Sequence, residues 1–179
     1  MNRLEVQTAR LILRPPEMED FDDFAAFCAD PEVMHFLGGA QARSVAWRGF
    51  SGVAGAWMLL GFSMFSVFER ATGRWIGRVG PHKPVDWPGT EVGWGLIRSA
   101  WGQGYAVEAA EAAMDYAVDH LGWTDIIHCI DKDNTPSQAV AQRLGSSRRG
   151  TAMLPAPASV EVEIWAQSAD QWRARRNAT

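Results

Sequence analysis

Residues 91–121, EVGWGLIRSAWGQGYAVEAAEAAMDYAVDHL, carry the most informative pattern in this chain. The first seven, residues 91–97, are mostly apolar with two interspersed glycines, which is typical of a buried strand whose backbone is approached closely. From Val107 onward, apolar residues recur at helical spacing and acidic residues occupy the wet side. The pattern predicts a strand, a glycine-rich turn and a helix in succession.

The turn itself, residues 101–106, predicts an anion-binding cradle. Gly102 and Gly104 free the loop to turn sharply and to aim successive backbone N–H groups at one point. The helix that follows adds the positive end of its dipole, so a phosphate is the expected ligand. The turn has neither the third glycine of a dinucleotide-binding G-x-G-x-x-G nor the Gly-Lys-Ser/Thr of a P-loop.

The turn resembles motif A of the GNAT acetyltransferases, Gln/Arg-x-x-Gly-x-Gly/Ala, which holds the pyrophosphate of acetyl-coenzyme A in that superfamily. Gly104 and Ala106 match the last two motif positions, whereas Trp101 replaces the usual Gln or Arg. The longer pattern WGQGYAVEA, residues 101–109, resembles the RimJ/RimL-like branch, whose named members acetylate N-terminal amines of ribosomal proteins. The resemblance covers nearly the whole chain; it is strongest over residues 75–145 and weakest over residues 36–60.

Length and composition agree with a single domain. At 179 residues with 47% hydrophobic residues, the chain is expected to form one domain, residues 1–179, around one core. No apolar run reaches the roughly 20 residues of a membrane-spanning helix, and the N-terminus has no hydrophobic signal core. The net charge of -4 argues against a nucleic-acid binder. We therefore expect a cytoplasmic monomer or homodimer with reduced Cys28 and Cys129, and with neither nucleic acid nor membrane as partner.

Flanking patterns complete the predicted fold. They are strands at 8–16, 62–69, 74–81, 124–130 and 160–167, and helices at 18–29, 40–60 and 169–176. A further helix follows residue 134, with Thr135 as N-cap, Gln138 completing a capping box and Gly145 at its end. Residues 153–159 are either a hairpin tip or a loop near the acceptor. We predict a mixed α/β, mostly antiparallel sheet of six to seven strands flanked by about four helices.

The resemblance implies that acetyl-CoA is the acyl donor and that it enters between the splayed fourth and fifth strands of the GNAT fold. Its pantetheine arm would pair with residues 93–97, where Gly95 leaves room. An N–H near Leu96 or Ile97 would meet the developing oxyanion. The N–H groups of the turn would hold the diphosphate, and Asn134 resembles the family's pantetheine-contacting asparagine. The expected contacts are Gly95, Leu96, Ile97, Trp101, Gly102, Gln103, Gly104, Tyr105, Ala106, Asn134 and Ser137.

Two residues are candidate catalysts by the same resemblance. Glu91 begins the fourth strand, where several GNAT enzymes place a carboxylate that accepts the amine's proton, directly or through water. The alternative is an exposed carboxylate at a sheet edge. Ser137 matches a serine proposed in related enzymes to protonate the leaving thiolate, whereas the tyrosine that other members use, four residues further on, is Ala141 here. Its alternative is an ordinary residue of a first helical turn.

Several other polar residues have both a structural and a functional interpretation. His82 and His128 are candidate bases, although lone histidines are more often structural. Arg98 and Arg148 would either add charge near the nucleotide or be solvated surface residues. No spacing of Cys, His, Asp or Glu indicates a metal site.

The expected activity is transfer of an acetyl group to a primary amine in a ternary complex. The acceptor would be a protein N-terminus or a small-molecule amine. Two alternatives stay open: a catalytically silent acyl-CoA-binding or sensing module, and another kind of enzyme that binds a phosphate ligand at the same turn.

Overall fold

The computed structural model describes residues 4–178. Two short 3-10 turns, Met18–Asp20 and Arg98–Ala100, accompany the regular elements. In chain order these are β1 Val6–Gln7, β2 Leu11–Arg14, α1 Phe21–Ala29, α2 Arg43–Leu60, β3 Phe65–Glu69, β4 Trp75–His82, β5 Glu91–Leu96, α3 Tyr105–Asp119, β6 Asp125–Ile130, α4 Thr135–Arg143, β7 Ser147–Met153, β8 Glu161–Ser168 and α5 Ala169–Asn177.

All the strands belong to one sheet in the order β1-β2-β3-β4-β5-β6-β8-β7. Neighbouring strands are antiparallel except β5 and β6, which are parallel. The mixed, mostly antiparallel sheet is confirmed. Within residues 4–178 the sheet has eight strands rather than six to seven, because the sequence patterns did not reveal β1 and β7. Five α-helices flank it rather than about four.

The two parallel strands separate almost at once. Their register contains the single pair Glu91 and Ile127, supported by a hydrogen bond of 3.0 Å from the Ile127 N–H to the Thr90 carbonyl. These strands are the fourth and fifth of the sequence-based prediction, so the predicted splay is confirmed. Past Glu91, the β5 edge that faces β6 is left without a strand partner.

Helices cover both faces of the sheet. One face of α3 is made of Ala109, Ala110, Ala113, Met114 and Ala117, which are completely buried against the sheet. Such small side chains let the helix axis approach the strands closely. On the other face, α1 and α2 enclose an aromatic cluster in which Phe24 and Phe27 pack edge-on against Trp75 of β4. The sheet therefore has a core on each side.

The start of α4 differs from the prediction by one residue. The N-cap is Asn134 rather than Thr135, and its Oδ1 accepts a hydrogen bond of 3.2 Å from the Ser137 N–H. Gln138 completes no capping box, since its Nε2 donates instead to the Lys132 carbonyl at 2.9 Å. Asn and Thr are both common N-caps, so composition alone could not fix the register. Gly145, with φ of +89°, follows the end of α4 as expected.

The hairpin alternative for residues 153–159 is the right one. The Leu154 N–H donates to the Val160 carbonyl at 2.9 Å, which closes the connection between β7 and β8. Both cysteines are free thiols, Cys28 buried and Cys129 partly buried. Within residues 4–178, no helix combines the length and the apolarity needed to cross a membrane.

Candidate active site

The glycine turn is held in place by Arg10. Its Nη1 donates to the Gln103 carbonyl at 2.9 Å, its Nε donates to Glu108 Oε2 at 2.6 Å, and its Cζ lies 4.5 Å from the centroid of the Tyr105 ring. The Glu108 carboxylate also accepts from the Arg10 backbone N–H at 2.8 Å. Arg10, directly before β2, and Glu108 of α3 thus fix the turn together.

The turn presents unpaired backbone donors at the start of α3. Gly104, with φ of +79°, is the N-cap and supplies no capping side chain. The first intrahelical bond runs from the Glu108 N–H to the Gly104 carbonyl at 3.1 Å. The N–H groups of Tyr105, Ala106 and Val107 therefore precede the helical ladder, and no acceptor for them occurs among residues 4–178.

Space in front of these donors is open. A Cβ added at Gly102 would meet nothing within 4 Å, and one added at Gly104 would meet only the Arg10 Nη2, at 3.5 Å. Unpaired N–H groups, the positive end of a 15-residue helix and open space are what a phosphate ligand needs. The turn fits the diphosphate of a coenzyme A thioester.

A cavity of ≈ 810 Å³ connects the turn with the gap between β5 and β6; we call it the central cavity. Of the predicted contacts, Ile97, Gln103 and the candidate base Glu91 do not line it. A smaller cavity of ≈ 330 Å³ lies on the acidic outer side of α3, away from the turn. The central cavity is lined by Pro31, Glu32, Val33, His35, Phe36, Leu37, Trp94, Gly95, Leu96, Ala100, Trp101, Gly102, Gly104, Tyr105, Ala106, Val107, Asn134, Pro136, Ser137, Ala139, Val140 and Arg143.

The β5 edge that faces the cavity offers fewer backbone groups than expected. The Ile97 N–H donates to the Ile76 carbonyl of β4 at 2.9 Å, so it is turned away and is not an oxyanion donor. Successive residues of a strand point their N–H groups to opposite edges, which leaves the Leu96 N–H on the cavity side. The Leu96 carbonyl already accepts from the Trp101 Nε1 at 2.8 Å.

Gly95 lines the cavity, and its lack of a side chain has a reason beyond the one predicted. A Cβ there would lie 2.9 Å from Cζ of Phe27. The glycine therefore lets α1 pack against the sheet, and its role in leaving room for the pantetheine arm stays a prediction.

Glu91 is a buried carboxylate. Its side chain is 6% exposed, which rules out the exposed edge residue. Its Oε2 accepts from the Trp87 Nε1 at 2.6 Å and its Oε1 from the Cys129 N–H at 2.9 Å. Burial raises its pKa to about 7, although both hydrogen bonds and the charge of Arg78 favour the ionised form. A carboxylate with this pKa is suited to accept a proton near neutral pH.

Ser137 lies across the splay from β5. The Trp94 Nε1 donates to the Ser137 Oγ at 3.3 Å, so an indole of β5 reaches the first turn of α4. The Ser137 backbone N–H is occupied by the Asn134 cap. Asn134 and Ser137 both line the central cavity, and the Asn134 amide oxygen also caps the helix.

The two candidate histidines, His82 and His128, do not line the central cavity. His128 is buried, with Nδ1 2.6 Å from the Val92 carbonyl and Nε2 3.0 Å from the Ser146 hydroxyl, and burial lowers its pKa to about 4. Burial and the charge of Arg78 also lower the His82 pKa to about 4. His82 packs edge-on against Trp87 with the ring centroids 4.8 Å apart.

Arg98 and Arg148 are engaged at the surface. The Arg98 guanidinium pairs with Asp30 at 2.7 Å and with Glu32 at 2.8 Å, and Arg148 pairs with Glu163 at 2.6 Å. In the described part of the chain, no cluster of three or more His, Cys, Asp or Glu side chains is placed to hold a metal ion.

Two features of the site escaped the sequence analysis. Residues 31–33 and 35–37 form a wall of the central cavity, whereas no residue of α2 lines it. The second feature is Arg78, in the middle of β4, whose positive charge interacts with the carboxylate of Glu91. No sequence motif marks the wall. For Arg78, the signal that could have been used is a charged residue between the apolar residues of a predicted strand.

A splayed sheet whose gap opens onto an unpaired helix N-terminus is suited to bind an acyl-CoA thioester, as an acyl-CoA-dependent transferase must. The sequence profile of the GNAT acetyltransferase domain matches residues 10–147. The chain belongs to the GNAT acetyltransferase family.

Individual relatives agree with this assignment. An N-acetyltransferase of Bacillus licheniformis named p20, itself uncharacterised, is 30% identical over 146 residues, which cover 80% of this chain and 82% of the relative. The crystal structure of an acetyltransferase from Agrobacterium tumefaciens superposes with a TM-score of 0.81 at 29% identity and covers 93% of this chain and 95% of its own. RimL, the ribosomal L7/L12 α-N-protein acetyltransferase, solved with coenzyme A, has the same fold with a TM-score of 0.75 at 16% identity, over 94% of this chain and 99% of RimL.

Proposed function

We propose that this chain moves the acetyl group of acetyl-CoA to a primary amine, with both substrates bound at once. The observation that carries the proposal is the continuity of the central cavity. It joins the unpaired N–H groups at the start of α3 to the free β5 edge and to Ser137. A phosphate-bearing chain with an extended arm fits that shape.

Acetyl-CoA, when bound, supplies the acyl group as a thioester. The N–H groups of the turn, from Gln103 to Ala106, are proposed to hold the diphosphate, with that of Val107 beside them. The β5 edge at Trp94 and Leu96 is proposed to pair with the extended arm as an added strand would. The Leu96 N–H is the proposed donor to the acyl oxygen, because Ile97 is excluded by its bond to β4.

Glu91 is the proposed proton acceptor for the amine. An alkylammonium has a pKa near about 10, so it must lose a proton before it attacks. Glu91 does not line the central cavity, but it lies on the same face of β5 as Gly95. Its side chain lies over Gly93, since a Cβ built at Gly93 would be 3.5 Å from the Glu91 Oε1. We propose that the proton travels from the amine to Glu91 through bridging water.

Ser137 is the proposed acid for the leaving thiolate. Its hydroxyl faces the cavity opposite β5 and touches a single described polar side chain, Trp94. That indole donates to the hydroxyl oxygen, so the hydroxyl proton remains available to be given away.

The proposed acceptor is either the N-terminal amine of a protein, as for the named members of the RimJ/RimL-like branch, or the amine of a small molecule. A cytoplasmic location and a single domain over residues 1–179 remain predictions. The second candidate function, a silent acyl-CoA-binding module, keeps the turn and lacks turnover.

Titration calorimetry with acetyl-CoA and with ATP, followed by an assay of free thiol release with a panel of amines, tests the proposal. We expect binding of acetyl-CoA in preference to ATP and thiol release that depends on an amine. Binding without thiol release for every amine would favour the silent module. Preference for ATP would favour another phosphate-ligand enzyme.

A further inference from the structure

Arg78 is a largely buried cation without an anion beside it. Its Nη1 contacts the Met64 sulfur at 2.7 Å, and its Nε is shielded from solvent with no hydrogen-bond partner. Its Cζ lies 5.9 Å from the centroid of the Phe27 ring. Among residues 4–178, no carboxylate oxygen approaches its guanidinium within the 4.0 Å of an ion pair.

This environment is unfavourable for a guanidinium. The group carries five N–H donors in a planar fork that matches a carboxylate, whereas a thioether sulfur is a weak and neutral acceptor. Burial accordingly lowers the Arg78 pKa. Arg14 shows the usual arrangement in the same sheet, with its two Nη atoms 2.9 and 2.7 Å from the two oxygens of Asp20. The Arg78 guanidinium therefore has the donor geometry that suits a carboxylate, but no described carboxylate lies within ion-pair distance.

The position of Arg78 connects it to the proposed reaction. In the sheet register it lies opposite Gly95, which lines the central cavity. A Cβ at Gly95 would approach Phe27 and Leu37, and Leu37 is also a cavity wall. Arg78 therefore lies on the α1 side of the sheet, next to Gly95 of the cavity wall, although Arg78 does not itself line the central cavity.

Glu91 lies on the same face of the sheet, four residues along β5 from Gly95, the residue opposite Arg78. The register pairs His82 with Glu91 and Gly80 with Gly93, so two glycines separate Arg78 from the carboxylate. Met64 covers this gap, since its Cε would lie 2.8 Å from a Cβ at Gly93. Methionine is flexible and readily repacks around a ligand. The charges of Cys28 and Glu91 raise the pKa of Arg78, and the charge of Arg78 lowers the pKa of His82.

We propose that Arg78 binds a carboxylate on the acceptor, so that the preferred acceptor is an amine that also carries an anionic group. The inference rests on the proposed function, because Glu91 would take the proton from the amine of the same molecule. The carboxylate would come from a free amino acid or a related aminocarboxylate, or from an acidic side chain near the N-terminus of a peptide.

Matched acceptor pairs test the inference at saturating acetyl-CoA. One pair is β-alanine and its carboxamide, and the other is a short peptide with Asp or Asn as second residue. In the wild type we expect kcat/KM for the carboxylate member of one pair to exceed that of its neutral partner at least about tenfold. The pair that shows the preference identifies the source of the carboxylate.

Arg78→Gln should lower kcat/KM for the carboxylate member at least about tenfold more than for the neutral member, because a bidentate ion pair is lost. Arg74→Gln is the matched control. Arg74 is exposed, lies just before β4 and contacts Ser99 at 3.2 Å, so its loss should leave the discrimination unchanged. Arg78→Lys, which keeps the charge without the fork, should retain part of the preference and replaces Arg78→Gln if that protein does not fold.

Equal losses for both members of a pair, or no preference in the wild type, would overturn the role of Arg78. Absence of turnover with every amine would instead overturn the proposed function. In that case thermal stabilisation decides on Arg78: β-alanine, but not its carboxamide, should raise the Tm of the wild type with coenzyme A bound and leave that of Arg78→Gln unchanged. Equal shifts for both compounds would refute the carboxylate site.

Discussion

The Trp87 indole donates a hydrogen bond of 2.6 Å to Oε2 of Glu91, inside a site where the carboxylate is almost completely removed from water. Trp87 precedes β5 by four residues and thus covers the carboxylate from the same segment of chain. The indole bond favours the ionised form, whereas burial favours the neutral one, and burial dominates because the pKa is raised to about 7. Glu91 is therefore balanced between its two protonation states near neutral pH.

The first prediction concerns the pH dependence of catalysis. In the wild type, kcat/KM should rise with pH through about 7, as Glu91 ionises. Glu91→Gln should lower kcat roughly 10²-fold at neutral pH and recover at higher pH, as the free amine becomes available. Steady-state rates of thiol release across pH provide the measurement. A variant that keeps the wild-type profile would mean that solvent or another group takes the proton.

The same pKa gives a prediction for stability. The Glu91 pKa is raised from 4.5 to about 7 in the folded protein, so between these values the folded state holds more protons than the unfolded chain. The free energy of unfolding should therefore fall as pH rises through this window; the penalty is absent below it and complete above it. Across this window, the contribution of Glu91 to the free energy of unfolding should fall by about 3 kcal/mol.

His82 and His128 act in the opposite direction, because their pKa values are lowered from 6.5 to about 4. The measurement is therefore the difference in unfolding free energy between the wild type and Glu91→Gln, from denaturant titrations at several pH values. Glu91→Gln should gain stability relative to the wild type as pH rises from about 4.5 to about 8. A difference that is constant with pH would show that the carboxylate is not destabilised by its burial.

The third prediction separates the Ser137 side chain from its backbone. Its N–H is bonded to the Asn134 cap, and this bond survives in Ser137→Ala. We expect kcat to fall roughly 10²-fold, with the KM for acetyl-CoA and the Tm close to wild type. Presteady-state measurement of thiol release reports the step directly. Full activity would remove Ser137 from the mechanism.

The fourth prediction concerns the cap itself. Asn134→Ala should lower the free energy of unfolding by about 1 kcal/mol, because the Ser137 N–H loses its acceptor. The matched control is Thr135→Ala, which removes the neighbouring residue that sequence pattern alone favoured as the cap. Chemical denaturation of both variants provides the comparison. The larger loss in Thr135→Ala would contradict the observed cap.

The glycine turn could be predicted because its signal is local, whereas the splay of the sheet was implied by the resemblance to the GNAT acetyltransferases. Gly102 and Gly104 have φ of +72° and +79°, values that favour glycine, and they stand directly before an amphipathic helix. In the predicted first strand, Leu11 and Leu13 alternate with Arg10, Ile12 and Arg14, and both leucines are completely buried. Local pattern and tertiary structure agree at these positions.

The remaining features depend on contacts between distant segments. Strand β7, SRRGTAM, has no apolar alternation and forms through pairing with β8 at the edge of the sheet. The burial of Glu91 requires Cys129 from β6, and the loss of the Ile97 N–H requires Ile76 from β4. Sequence spacing contains no information about such partners. The charge of Arg78 became informative only once its surroundings were known.

The central claim, that the turn before α3 binds acetyl-CoA, is tested most directly by the dissociation constant of acetyl-CoA for Gly104→Val, measured by titration calorimetry. The control is Gly122→Val, which places the same side chain at a similar backbone angle, φ of +68° against +79°, after the other end of α3. Both variants should lose stability through backbone strain. The account predicts that Gly104→Val binds acetyl-CoA more than about tenfold more weakly while Gly122→Val binds it like the wild type. A folded Gly104→Val protein with wild-type affinity would contradict it.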